Sequence, residues 1–214
     1  MSLKDIKLTE KELNIPLGIN ENGLQEFFNL NKARNVLIAG KTGSGKSTFL
    51  HKAIKYLTEN YCNAVDLCLI DLKQTEFSNY NNVIFTLNNA ITFLSKVVEN
   101  INDASFKNEI PLIIIVDECA ELLLDKKAFN FLTKIAAMGR RINVNLILST
   151  QRTSFKVLPP VLKANLQTKI CFPVHDKTAS LSIVNEQGAE NLNTGEFLYK
   201  SPLLLNLKKY KIEI

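Results

Sequence analysis

The sequence predicts an α/β protein, a layered α/β/α sandwich around a mainly parallel central sheet. Two observations carry this. Short apolar, β-branched runs alternate along the chain with segments of helical period. Two of those runs, Leu67-Cys-Leu-Ile70 and Leu112-Ile-Ile-Ile-Val116, are continuously apolar, as strands are when helices cover both faces.

Taken in order, strands are expected at 35–39, 65–70, 83–85, 112–116, 145–149 and 168–172, with a terminal pair at 196–199 and 203–207. A crossover helix over 46–59 places Phe49, Leu50, Ala53, Ile54 and Leu57 on one face. A second, over 90–101, does the same with Ile91, Leu94, Val97, Val98 and Ile101. Polar breaks fall at 77–82, 102–108 and 153–160, the last ending in Pro159-Pro160. With no internal repeat and no dividing linker, residues 1–214 are expected to form a single domain.

Composition narrows the class. Apolar residues make up 46% of the 214 and charged residues 22%, ordinary globular usage that excludes a disordered tail or a fibrous repeat. The net charge of +5 permits an anionic partner without demanding one. The richest apolar run is closed at once by Asp117 and Glu118, so no segment is expected to enter a bilayer. The first ten residues alternate charged and apolar side chains without an apolar signal core, which makes the cytoplasm the expected compartment. Cys62, Cys68, Cys119 and Cys171 form no CxxC pair and read as reduced thiols, three of them in apolar runs. Neither His51 nor His175 lies near a cysteine at a metal-ligand spacing, which argues against a zinc site.

The chemistry is concentrated after the first strand. Gly40-Lys-Thr-Gly-Ser-Gly-Lys-Ser47 matches GxxxxGK[ST] in full, and a helical pattern follows it. Gly40, Lys41, Thr42, Gly43, Ser44 and Gly45 can wrap phosphate oxygens with backbone N–H groups, and the helix start through Thr48 adds a favourable dipole. Lys46 is expected at the β- and γ-phosphates of ATP and Ser47 on Mg²⁺.

Two further strand ends point at the same crevice. The 112–116 run ends in Asp117-Glu118, where Asp117 is expected to hold Mg²⁺ and Glu118 to take or orient the attacking water. The 145–149 run ends in Thr150-Gln151-Arg152, and Gln151 is the candidate sensor of the γ-phosphate. Just before that strand, Met138-Gly-Arg-Arg-Ile142 offers Arg140 and Arg141 as candidates for an arginine reaching a neighbouring subunit's nucleotide, or as solvated charges at a helix end.

With these motifs in view, residues 15–199 resemble the motor domain of the FtsK/SpoIIIE family of DNA translocases, within the FtsK–HerA group of ring-forming ATPases. The resemblance rests on Ile15-Pro-Leu-Gly18, the phosphate loop, Ile70-Asp-Leu-Lys73 with Glu76, Ile115-Val-Asp-Glu-Cys-Ala-Glu-Leu122, Leu148-Ser-Thr-Gln-Arg152, Lys163-Ala-Asn165 and Gly188-Ala-Glu190. It implies a RecA-like P-loop NTPase fold, with Lys46 and Ser47 at the nucleotide, Asp117 at the metal, Glu118 as catalytic base and Gln151 as sensor. It also implies Arg140, rather than Arg141, as the arginine acting in trans. Leu72 replaces the family's usual proline, and Ala179-Ser180-Leu181 stands where the family has Asp-Ser-Arg.

The function expected from the resemblance is an ATPase that assembles as a homo-oligomeric ring, a hexamer, and moves double-stranded DNA. The basic excess should then line the pore, where contacts to phosphates carry no base information. Lys73 and Lys156 are candidate pore-loop cations. The chain is expected to be a motor core alone, with no membrane anchor and no winged-helix domain, encoded by a mobile element, and partner chains are candidates to supply what it lacks. Two alternatives stand beside this: an FtsK-like ATPase of a protein-export or conjugation machine, and a nucleotide-switched DNA-binding or assembly factor.

Overall fold

The computed structural model describes residues 13–33, 35–152 and 158–212. The first ten residues and Lys156 lie outside these. The chain opens with a hairpin of β1 (Asn14–Ile19) and β2 (Gln25–Asn29), then a turn of helix, α1 (Leu30–Ala33), and β3 (Val36–Ala39). There follow α2 (Lys46–Asn60), β4 (Asp66–Asp71), β5 (Val83–Ile84), α3 (Leu87–Asn102) and β6 (Leu112–Asp117). A single turn, α4 (Cys119–Leu122), leads to α5 (Lys126–Met138), a 3₁₀ turn (Gly139–Ile142) and β7 (Val144–Thr150). The chain closes with α6 (Pro160–Asn165), β8 (Thr168–Cys171), α7 (Lys177–Val184), β9 (Glu196–Lys200) and β10 (Lys208–Lys211).

The ten strands of the described residues join one sheet, in the order β2-β1-β10-β9-β8-β3-β7-β6-β4-β5. From β8 to β5 every pairing is parallel, and from β8 to β2 every pairing is antiparallel. The parallel half holds β3, β6 and β7 at its centre, so the turns that follow these strands gather at one edge.

Each face has its own core. α3, α5, α6 and α7 cover one, through side chains such as Leu94, Leu132, Leu162 and Ile183. On the other, α2 presents Phe49, Leu50, Ala53, Ile54 and Leu57, the face read from the sequence. The antiparallel half adds an aromatic layer there: Phe172 lies 6.1 Å from Phe49 and 5.0 Å from Phe197, which stacks on Tyr210 at 5.7 Å. Such pairs add about 0.5–1.5 kcal/mol each beyond their buried area. Cys68, Cys119 and Cys171 are buried free thiols and Cys62 is exposed. Burial pushes Cys68 and Cys171 up to about 12, so they stay protonated and inert.

The six parallel strands fall within one or two residues of expectation, but the terminal pair needs correction. Residues 203–207 form a loop with Leu203 and Leu205 exposed, in which Ser201 accepts hydrogen bonds from Leu203 and Leu204. The strand is Lys208–Lys211, where Tyr210 is buried and the three lysines are exposed. The β1–β2 hairpin, α5 and α7 are additions to the sequence reading. Both helices carry an aspartate N-cap: Asp125 accepts from the Lys127 and Ala128 amides, and Asp176 from Ala179. In α7, Ser180 donates to the Glu186 carbonyl at 2.6 Å and so ties the helix to the following turn.

Buried Asn35, just before β3, holds the opposite edge of the sheet together. Its amide donates to the carbonyls of Ala136 (2.6 Å) and Asn165 (3.3 Å), and its oxygen accepts from the Leu146 amide at 3.0 Å. Three elements thus meet on one side chain, and replacing it strands buried partners at about 1–3 kcal/mol each. Asn35→Ala is expected to lower unfolding free energy by about 3 kcal/mol in a urea titration. A loss below about 1 kcal/mol would show that the amide is not the clamp.

Candidate active site

The phosphate loop leaves β3 at Gly40 and enters α2 at Lys46. Its shape depends on missing side chains. A Cβ on Gly40 would sit 2.6 Å from the Phe172 Cβ, and Gly45 takes φ 113° while capping α2 with its backbone alone. The first turn of a helix has no internal acceptors for its amides, so those of Lys46, Ser47 and Thr48 are free of intrahelical demands. The loop is braced from behind, with Lys41 N donating to Pro173 O at 2.8 Å and Gly195 N to Ser44 O at 2.9 Å.

Buried Lys46 folds back over the loop, its Nζ donating to the carbonyls of Gly40 (2.7 Å) and Lys41 (3.0 Å). Burial pushes this ammonium below the usual lysine range, while Asp117, Glu118 and Glu76 pull it back up. Those carboxylates come from neighbouring strand ends. β4 and β6 run in register, so that Asp71 pairs with Asp117, and β7 lies on the other side of β6. Burial first, then the facing charges of Glu76, Asp71 and Glu118, raise Asp117 to about 6 against the pull of Lys46.

Glu118 is held differently. Its backbone is left-handed at φ 44°, a conformation that costs a non-glycine residue about 1–3 kcal/mol and gathers at functional sites. The carboxylate accepts from Thr150 Oγ1 at 2.9 Å and from the Gln151 amide at 3.0 Å. The Gln151 side chain in turn accepts from Thr42 Oγ1 at 2.7 Å. The candidate base, the candidate sensor and the phosphate loop therefore form one hydrogen-bonded chain.

The two arginines separate sharply. Arg141 donates to the carbonyls of Ile101, Asp103 and Ala104 and so caps the end of α3. Arg140 is exposed, makes no side-chain hydrogen bond or ion pair among the described residues, and lines a cleft of about 260 Å³ with Asn165 and Gln167. It lies beyond the start of β7, whereas Gln151 follows its end. β7 is seven residues long, which puts roughly 20 Å of strand between them.

The structure thus gathers Gly40–Thr48, Asp117, Glu118 and Gln151 at one edge and leaves Arg140 at the other. Lys73 is near the first group but is paired with Glu121 at 3.7 Å. Three residues join the site without having been assigned a role from the sequence. Asp71 lies beside Asp117, Thr150 holds Glu118, and Glu76 contacts His51 at 3.5 Å. Register made the first two unreadable from a linear pattern.

Comparison with known proteins bears on the family and the fold. Residues 3–105 match the FtsK/SpoIIIE family profile. A DNA translocase FtsK of Streptococcus agalactiae is 31% identical over 89% of the chain. The chain belongs to the FtsK/SpoIIIE family. It spans 28% of that relative's length. Among solved structures, the pCW3 conjugation coupling protein TcpA with ATPγS superposes at a TM-score of 0.77, with 22% identity, 99% of this chain and 68% of that one covered. The Type VII secretion ATPase EccC of Thermomonospora curvata gives 0.77 with 19% identity, covering 94% of this chain and 28% of that one. The fold is that of the P-loop ATPases, and the chain is an FtsK/SpoIIIE-family ATPase domain. Among the described residues, no helix is long and apolar enough to cross a membrane.

The donor set fits a magnesium nucleotide. Asp117 is surrounded by more negative charge than Lys46 offsets, and a buried oxygen of Asp71 has no partner among the described residues. Mg²⁺ is commonly held by one or two protein oxygens plus phosphates and waters, which suits Ser47 and Asp117.

The raised Asp117 has a consequence without ligand. Folded Asp117 keeps its proton up to about pH 6, while an ordinary aspartate releases it near 3.8. The folded state binds more protons in that window, so stability falls as pH rises through it, by on the order of 2 kcal/mol. In nucleotide-free EDTA buffer, Asp117→Asn is expected to gain this much on wild type between pH 4 and pH 7 in urea titrations. A pH-independent difference would contradict the raised value.

Proposed function

We propose that residues 1–214 form a single ATP-hydrolysing motor domain that works as a ring, a hexamer, and moves double-stranded DNA in the cytoplasm. In this reading Gly40–Thr48 bind the triphosphate, with Lys46 turning from the loop carbonyls to the β- and γ-phosphates. Ser47 and Asp117 hold Mg²⁺, which neutralises phosphate charge when bound. Glu118 accepts the proton of the attacking water at its carboxylate, while the Gln151 side chain turns from Thr42 to the γ-phosphate.

One observation carries the ring. Arg140 is unpartnered in its own subunit among the described residues and sits an entire strand length from its own phosphate loop. An arginine so placed is out of reach of its own nucleotide and free to serve a neighbour's, where such a residue is worth about 10³–10⁵ in rate. DNA as the cargo is supported by the relative of S. agalactiae, a DNA translocase by name. The fold shared with a conjugation coupling protein and a secretion ATPase supports a second reading, in which the domain drives an export or conjugation machine.

ATPase rate with and without linear duplex DNA, with mass measured in the same buffer, tests both. Translocation predicts DNA-stimulated hydrolysis that falls with salt. Glu118→Gln is expected to lose about 10²-fold or more in turnover while still binding nucleotide. Arg140→Ala is expected to be inactive and to poison wild-type protein when mixed. Indifference to DNA would sink the translocase reading, and a fully active Arg140→Ala would remove the trans arginine.

A further inference from the structure

Among the described residues, four buried side-chain oxygens have no hydrogen-bond partner: Ser44 Oγ, Asp71 Oδ1, Thr133 Oγ1 and Ser149 Oγ. Three of the four belong to the phosphate loop, the end of β4 and the end of β7. Their placement is not scattered. Side chains alternate along a strand, and Asp71, Asp117 and Ser149 each stand two residues beyond Leu69, Ile115 and Ile147, all of which face the α2-side core. Asp71 is the register partner of Asp117, and Val116 of Leu148, so Ser149 follows on the far side of Asp117. Neighbouring strands are about 4.8 Å apart. The three side chains form a row on the α2 side of the sheet, with Asp117, which interacts with Lys46, in the middle.

Asp71 is informative because its two oxygens differ. Oδ2 accepts from the amides of Glu76 (2.9 Å) and Phe77 (3.0 Å) and so anchors the loop after β4. An asparagine could do that equally well with a single oxygen. Oδ1 serves no such purpose, and the residue is fully buried. Leaving a buried oxygen unpaired is costly, and a buried carboxylate more so. The same holds on a smaller scale for the Ser149 hydroxyl, which is buried in a strand of which every residue is buried.

We propose that Asp71 and Ser149 are positioning residues for the divalent cation held by Asp117, each hydrogen-bonding a water of that ion's hydration shell. This rests on the reading of Asp117 as the cation's ligand. Mg²⁺ gives up its waters reluctantly and keeps several when bound. Partners that orient such outer groups commonly change metal affinity by about 10–100-fold. Asp71 accepts from a water, and the Ser149 hydroxyl can accept or donate. Because Asp71 also holds the 72–77 backbone, the cation and the loop carrying Lys73 and Glu76 share one side chain.

The test is a titration of Mg²⁺ against binding of a fluorescent ATP analogue, with the same binding measured in EDTA. Asp71→Asn keeps the loop anchor and is expected to raise the half-maximal Mg²⁺ concentration about 10-fold while leaving EDTA binding within twofold of wild type. Ser149→Ala is expected to raise it a few-fold and, in EDTA, to unfold at a higher urea concentration than wild type, since it deletes an unpaired buried hydroxyl. Should Asp71→Asn fail to fold, Ser149→Ala carries the test, since its Oγ makes no bond within the described protein. Wild-type midpoints in Ser149→Ala, or in a folded Asp71→Asn, would overturn the assignment for that residue. Absence of any Mg²⁺ dependence in wild-type protein would instead overturn the nucleotide reading beneath it.

Discussion

The close approach of the phosphate loop to the aromatic wall behind it is the constraint on which the carboxyl edge of the sheet depends. Gly40 has no room for a Cβ against Phe172, and at Gly45 one would press on the same ring at 3.2 Å. The loop is therefore as well placed as Phe172, and Phe172 is placed by Phe49 of α2 and Phe197 of β9. Packing of this density transmits small shifts rather than absorbing them. The antiparallel half of the sheet, which carries none of the candidate chemistry, is thus the support that holds the loop's backbone where its amides converge.

On that rigid edge the charges are arranged at some expense. Buried Lys46, Asp71 and Glu118 meet half-buried Asp117 and Glu76 there, with negative charge in excess. A protein optimised for stability alone would have diluted this cluster, and the left-handed Glu118 adds backbone strain to it. A ligand that brings compensating positive charge relieves the repulsion. By linkage, whatever instability the empty site imposes returns as affinity and as stabilisation of the bound state. The hydrogen-bonded chain from Thr42 through Gln151 to Glu118 ties the phosphate loop to the candidate base through one residue, whose side chain meets Thr42 and whose amide holds Glu118.

Much of this was legible in the sequence, for identifiable reasons. The central parallel strands carry β-branched, largely apolar runs that alternate with helical segments, and the phosphate loop is a contiguous motif whose flanks agree with it. The antiparallel strands are harder. β10 presents three lysines and buries only Tyr210, while the more apolar 203–207 segment is a turn with Leu205 wholly exposed. β1 carries Pro16 and Gly18, which read as breaks, although an edge-side hairpin tolerates both. α5 and α7 do announce themselves through Asp125 and Asp176, capping signals that a reading centred on apolar period passes over. Within the site, contiguous motifs were readable and lateral neighbours were not. That Asp71 lies beside Asp117, or that Thr150 holds Glu118, follows from strand order, which no local pattern encodes.

Strand order also constrains assembly. Arg141 is consumed at the end of α3, so of two adjacent and chemically identical side chains only Arg140 is available to reach outward. Its position at the opposite edge from the phosphate loop means that a two-fold dimer, which pairs like surfaces, cannot bring both halves of the apparatus together by joining either edge to itself. A head-to-tail contact can, since it sets one subunit's amino edge against the next subunit's carboxyl edge. Such heterologous contacts either close into rings or continue as filaments. In the proposed reading the parallel sheet is a spacer of roughly 20 Å between what one subunit offers a neighbour and what it receives from another. In that same reading closure into a ring leaves no site unfinished, which is the physical reason to propose it over an open chain.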